Sequence, residues 1–377
     1  MLQIIREFRV GRPQIYAGLM LLVFFAQCLW VARGRKFSEL EYQYIASGFP
    51  PPSGQAYRGT SPFTGWAAAL PLRTIAAARA HGPSSLSSAL AIPRPWLVRL
   101  PFMIFGVWLG GALWWVARRL FDDEGGYMAL ALYCSSPAMV KISSNIGPEI
   151  ILAWSGLGMI YTAIGVAHTL YAPPRKWVPR IGILGLSIGF ALSTVLWSFT
   201  LVLLAFAFMI YLAPGRRRSV MIVLASASAI GLAVLGVVTW LTGATVPGPH
   251  SQLIPQLTLD LVRALWFVFT DGYALGAFFI AALTAYGSWA RARYFGNSAP
   301  LITGFTAVLL FTLVPAIHLW DATLGLSFIF IFIGGIAADF LETSFRRVVA
   351  VILAAGLVLR IVLAVVDIGR WIHQNPV

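Results

Sequence analysis

Apolar runs of about twenty residues recur along the whole chain, and short basic segments separate them. "QIYAGLMLLVFFAQCLWVAR" near the start and "RVVAVILAAGLVLRIVLAVVDI" near the end show the pattern. A run this long with so little charge suits hydrocarbon. In hydrocarbon every backbone N–H and C=O must be bonded within the protein, which leaves helices or closed barrels. No long stretch alternates with a period of two, which argues against a barrel. Composition agrees, with 59% hydrophobic and 11% charged residues, against roughly a quarter charged in soluble domains. The sequence predicts an all-α polytopic membrane protein, a single transmembrane domain over residues 1–377.

Eleven spans are expected: 13–32, 100–117, 126–144, 149–170, 181–195, 197–213, 219–241, 272–289, 299–319, 322–340 and 347–368. The stretch 181–213 is too long for one span, and Trp197-Ser198 is the natural reversal. The net charge of +14 does not point to nucleic acid, because most of it sits in short segments between apolar runs. Arg118 and Arg119, Arg216 to Arg218, Arg291 and Arg293, and Arg346 and Arg347 all fall there, as the positive-inside rule requires. The N-terminus is then cytoplasmic and the C-terminus outside. The first run is too long, and its flanks too basic, for a cleaved signal peptide. Cys28 and Cys134 lie in apolar runs and read as small core residues.

Two outer loops stand out, 33–99 and 242–271. The first opens with "FSELEYQYIASG", which carries Glu39 and Glu41 amid Arg33, Arg35, Lys36 and Arg58. On a helix Glu39 and Tyr42 share a face and Glu41 points elsewhere. Farther on, "GWAAALPLRTIAAARAHG" has apolar and basic residues at helical spacing and predicts an amphipathic interfacial helix. Glu149 follows Pro148 at a helix start, where a carboxylate also suits the helix dipole. Lys141 sits at a span end. His81 and His250 have no companion at metal-ligand spacing, so no metal site is expected.

The order of these features resembles the GT-C superfamily of membrane glycosyltransferases, in its protein O-mannosyltransferase and aminoarabinose-transferase-like branch. The residues that carry the resemblance are "SELEYQYIASG", "GTSPFTGW", the "RLP" at Arg99 to Pro101, "RRLF", "SP" at Ser136-Pro137, and Glu149 opening the fourth span. The family's leading Asp falls at Ser38. Its late outer loop, which meets the lipid phosphate, reads "PAIHLWDATLG" here and supplies His318 and Asp321. The resemblance implies transfer of a sugar from a polyprenyl-phosphate donor to an acceptor at the outer face of a bacterial cytoplasmic (inner) membrane. Glu39, Glu41 and Glu149 are then the catalytic candidates. Tyr42, Arg58, Lys141, His318 and Asp321 are the substrate-binding ones.

That chemistry needs a carboxylate to take the acceptor's proton. It also needs positive charge for the leaving phosphate, from Arg, Lys or a divalent metal. The cofactor is left open. Two other readings stand beside it: a non-catalytic GT-C-like subunit that scaffolds partner membrane subunits, and a lipid transporter or flippase. Against the transporter, no inverted internal repeat is visible and few ionisable residues fall within spans. The topology is testable by labelling with a membrane-impermeant thiol reagent. A cysteine placed at Ser53 should react from outside and one at Ser219 should not; the reverse pattern would overturn the threading.

Overall fold

The computed structural model describes residues 11–49, 61–78, 95–242, 271, 274–288, 295–312 and 323–374. The described residues form helices and connections, with no strand among them. The helices are α1 (Arg12–Arg33), α2 (Glu39–Ser47), α3 (Pro62–Ala78), α4 (Pro95–Cys134), α5 (Pro137–Ser143), α6 (Glu149–Thr169) and α7 (Pro174–Thr194). They continue as α8 (Phe199–Leu212), α9 (Arg217–Thr242), α10 (Ala274–Ser288), α11 (Phe295–Thr312), α12 (Thr323–Leu341) and α13 (Arg346–Gln374). Each of the eleven expected runs holds helix in its described part. Seven of the helices are long and apolar enough to cross a membrane, and α8 and most of α10 form shorter apolar helices. The chain is an integral membrane protein.

Local chemistry sets the breaks. α4 contains two helices, parted at Phe121 (φ −138°, ψ 23°) and Asp122 (φ 59°, ψ −168°). The break falls between the expected second and third spans, where the sequence reads Asp122-Asp123-Glu124. The third span, expected as 126–144, does not run through. It stops at Cys134, and α5 restarts at Pro137, because proline disfavours a helical residue before it and offers no N–H. Ser136 caps the new helix by accepting the Met139 N–H at 3.2 Å. The reversal expected at Trp197-Ser198 is a short 3₁₀ turn, Leu196–Ser198, following an extended Val195.

α12 is the central helix, buried from Thr323 to Ala338, and it packs on α4 and α11. The approach to α4 is close enough that a Cβ on Gly334 would lie 2.7 Å from the Gly125 carbonyl. α7 meets α9 through small residues in the same way: a Cβ on Gly185 would lie 2.6 Å from Ile230 Cβ, and one on Gly189 2.5 Å from Val234 Cβ. Without a hydrophobic drive between helices in lipid, such close backbone contact is what binds them. α3, read as interfacial from the sequence, buries Phe63, Ala67, Ala68 and Leu72 and packs on α2, α4, α7 and α9.

α13 is different. Its aliphatic side chains face outward, with Val351 69% exposed, which suits a lipid-facing helix. Yet Arg360, midway along it, is fully buried. Arg360 Nη2 donates to Asp271 Oδ2 at 2.9 Å, Nη1 to the Asp271 carbonyl, and Nε to Ser135 Oγ at 3.0 Å. Asp271 in turn accepts the Ala138 N–H at 3.0 Å and the Ser136 hydroxyl at 2.6 Å, at the start of α5. One buried ion pair therefore ties α13, the end of the second loop and α5 together. Removing one partner of such a pair strands the other charge, at a cost of about 3–5 kcal/mol. Arg360→Met should lower the melting temperature in detergent sharply. Arg360→Met with Asp271→Asn should recover part of the loss, and no recovery would contradict charge stranding as the cause.

Candidate functional site

At the α2 end of the bundle the decisive side chain is Arg99, fully buried at the start of α4. A guanidinium has five N–H donors, and all are used. Nε and Nη2 donate to Glu41 Oε1 and Oε2, both at 2.9 Å. Nη1 donates to the carbonyls of Ala32 and Arg35, both at 2.9 Å, and Nη2 also to that of Lys36 at 2.8 Å. These carbonyls lie in the last turn of α1 and just beyond it, where helix geometry leaves acceptors free. The Phe37 ring covers the guanidinium, 4.9 Å from its carbon.

Glu41 is held as tightly. Besides Arg99, its Oε2 accepts the Ser38 N–H at 2.8 Å, and Ser38 Oγ accepts the Glu41 N–H at 3.2 Å. That is a capping box that starts α2. Its Oε1 also accepts the Ile146 N–H at 3.1 Å. Glu39 and Tyr42 lie on the opposite, exposed face of α2, and the Tyr42 ring stands edge-on to Phe37 at 5.5 Å.

The remaining charged groups lie around the connection from α5 to α6, Ser144 to Pro148. Asn145 Oδ1 accepts Arg35 Nη1 at 2.6 Å. Glu149 is half-buried and its carboxylate folds back over Gly147, so that a Cβ there would run into Oε2. Lys141 Nζ meets Asp367 Oδ2 of α13 at 2.6 Å. Trp371, one turn on from Asp367, lies 3.7 Å from the Arg35 guanidinium and 5.4 Å from the Lys141 ammonium, measured to the ring centroid. Burial pulls the Arg35 guanidinium down to about 10, with Glu41 opposing the drop and Arg99 adding to it. Arg35 is therefore cationic at neutral pH.

An apolar groove lies elsewhere in the described bundle. It holds about 410 Å³ between α3, α7 and α9 and is lined by Phe63, Trp66, Phe190, Val234, Val238 and Leu241 among others. Contacting rings continue from Phe63 through Phe105 to Trp154, at 6.1 and 5.3 Å. Trp154 lies on α6 five residues after Glu149, about 7.5 Å along the axis.

Of the residues singled out from the sequence, the structure brings Glu41, Glu149 and Lys141 to one end and places Glu39 and Tyr42 on the outside of the same short helix. Arg58, His318 and Asp321 lie outside the described residues, as does the second loop apart from Thr242 and Asp271. Among the described residues no three His, Cys, Asp or Glu side chains converge on a metal site. Sequence reasoning missed three participants: the role of Arg99, the Asn145 contact, and Trp371. Arg99 had a signal, since an arginine opening an apolar run must find partners. The other two had none.

Comparison with known proteins supports the fold. Residues 84–241 match the profile of the dolichyl-phosphate-mannose-protein mannosyltransferase family. No curated protein matches the sequence. The structure is similar to ArnT from Cupriavidus metallidurans bound to undecaprenyl phosphate, at 14% identity and a TM-score of 0.61 over 88% of this chain and 60% of that one. It is also similar to the oligosaccharyltransferase AglB from Archaeoglobus fulgidus in complex with an inhibitory peptide and a dolichol-phosphate, at 14% identity and a TM-score of 0.54 over 94% and 56%. The chain thus spans little more than half the length of these proteins. The resemblance to the GT-C superfamily read from the sequence holds for the fold.

The two glutamates of α2 should separate in stability. Glu41→Gln leaves Arg99 without its counter-charge and should cost about 3–5 kcal/mol. Glu39→Gln, exposed and without a hydrogen bond to a described residue, should leave the detergent melting temperature unchanged. Equal losses would show that the Arg99 network is not what holds the loop.

Proposed function

We propose, with the GT-C fold as premise, that this protein transfers a sugar from a polyprenyl-phosphate donor to an acceptor at the outer face of the membrane. The observation that carries the reading is half-buried Glu149 at the start of α6, with Arg35 bonded to Asn145 four residues before it. A proton acceptor and a fixed cation then meet at one short segment, Asn145 to Glu149. The groove suits an isoprenoid tail, and Arg35 and Lys141 suit the phosphate at its head.

In this reading the acceptor's hydroxyl or amine attacks the sugar's anomeric carbon. The bond from that carbon to the phosphate oxygen breaks, and the polyprenyl phosphate leaves with the electron pair. The acceptor's proton passes to Glu149, the general base. Arg35 and Lys141 stabilise the charge that grows on the leaving oxygen. Glu41 is not available for proton transfer, because Arg99 and two backbone N–H groups occupy its oxygens; it orients the loop instead. Glu39 and Tyr42, on the open face of α2, receive the acceptor. The N-terminus is cytoplasmic in this arrangement, and the membrane is a bacterial inner membrane.

The test is single-turnover transfer from a polyprenyl-phosphate sugar. Glu149→Gln should reduce the rate on the order of 10²–10⁴-fold while undecaprenyl-phosphate binding persists. Glu39→Gln should raise KM for the acceptor and change kcat little. If Glu149→Gln transfers normally and Glu39→Gln does not, the base is Glu39. If wild-type protein transfers from no such donor, the enzymatic reading fails.

A further inference from the structure

We propose that the last turns of α13 form a self-inhibitory strap: Asp367 and Trp371 occupy Arg35 and Lys141, the cations that a donor phosphate would meet, so the strap and the donor compete. The inference rests on reading this end of the molecule as the donor-phosphate site.

Three contacts place the strap. Lys141 Nζ is 2.6 Å from Asp367 Oδ2, with the side chains 14% and 50% exposed. Trp371 follows Asp367 by four residues and so shares its face of the helix; its ring stacks against Arg35 at 3.7 Å. Ile372 rests against Gly34, where a Cβ would lie 3.1 Å from Ile372 Cγ2. A carboxylate and an aromatic face thus stand where an anion would find two cations.

The cations are not fully satisfied by this partner. Arg35 is 7% exposed, yet its Nε has no hydrogen-bond partner. A buried donor left unused is costly, and such groups in native structures call for an explanation. Asp367 offers its charge to Lys141, and the ring of Trp371 accepts no hydrogen bond in the guanidinium plane. A phosphate has three terminal oxygens and more charge, enough to meet Lys141 and the idle Arg35 donor together.

The strap is held lightly along its outer face. Most of α13 faces outward, with Val358 61% and Val362 54% exposed. Its buried residues from the midpoint on are Arg360, Ala364 and Ile368, and the charged anchor, Arg360, precedes Asp367 by seven residues or about 10 Å along the axis. The contacts of Asp367, Trp371 and Ile372 with the cations and Gly34 are separate from the Asp271 pair, so they can part without breaking it.

The experiment measures undecaprenyl-phosphate binding to the full chain in nanodiscs, with undecaprenol as the phosphate-free control and melting temperature as the folding control. Asp367→Asn and Trp371→Ala should each bind the phosphate lipid about tenfold tighter than wild type, the scale of one charge-assisted contact. Lys141→Gln should bind about tenfold weaker on the same grounds. A Gly34→Cys, Ile372→Cys pair, made with Cys28→Ala and Cys134→Ala, should lose binding when oxidised and regain it on reduction. If Lys141→Gln weakens binding but Asp367→Asn and Trp371→Ala do not tighten it, the strap is overturned and the phosphate site stands. If wild type and variants bind undecaprenyl phosphate no better than undecaprenol, the site fails and the strap with it.

Discussion

A guanidinium removed from water must find a hydrogen-bond acceptor for every N–H it carries, and the α2 end of this protein is organised around that demand. Arg99 obtains five bonds from carbonyls at the end of α1 and from both oxygens of Glu41. Each acceptor comes from a different part of the chain entering the first loop, so satisfying one side chain fixes where α1 stops, where α2 starts and how both meet α4. The remaining lone pairs of Glu41 reach to Ile146 and place the α5–α6 connection. The position of Glu149 is therefore a consequence of Arg99.

α5 sits between two such devices. Asp271, paired with Arg360, holds its N-terminal end through Ala138 and Ser136, and Glu41, paired with Arg99, holds the chain just beyond its C-terminal end. A seven-residue helix is too short to be stable alone. Two buried ion pairs make it rigid, and it carries Lys141. In the proposed reaction that rigidity would hold Lys141 in place, since small misplacements are expensive in rate.

The same helix, α13, serves both solvents of this molecule. Along most of its length it offers aliphatic side chains to lipid, and at its tip it offers Asp367 and Trp371 to the cations. Its hold on the bundle runs along one stripe, from Gly356 against Phe278 through Arg360, Ala364 and Ile368 to that tip. Polar anchors carry much of the hold because lipid competes equally well for the aliphatic face. An element held at few polar points can be released at one of them.

The apolar runs and the basic segments between them determined, by themselves, that the chain is helical and membrane-embedded, because hydrocarbon admits almost no other backbone. They also located the helices closely, including the reversal at Trp197-Ser198, since turn chemistry is local. The break at Ser135-Ser136 was legible in Pro137, though the hydropathy of 126–144 masked it. Glu39 and Tyr42 sharing a face apart from Glu41 followed from helical spacing alone. What only the tertiary structure decided is which charges meet. Glu41 is 58 residues from Arg99, Asp271 is 89 from Arg360, and Lys141 is 226 from Asp367. No spacing rule links such positions, because helices in lipid associate through local fit and polar contact. A carboxylate that pairs with a buried arginine and one that meets no described cation look alike in sequence; burial and partners alone separate Glu41 from Glu149.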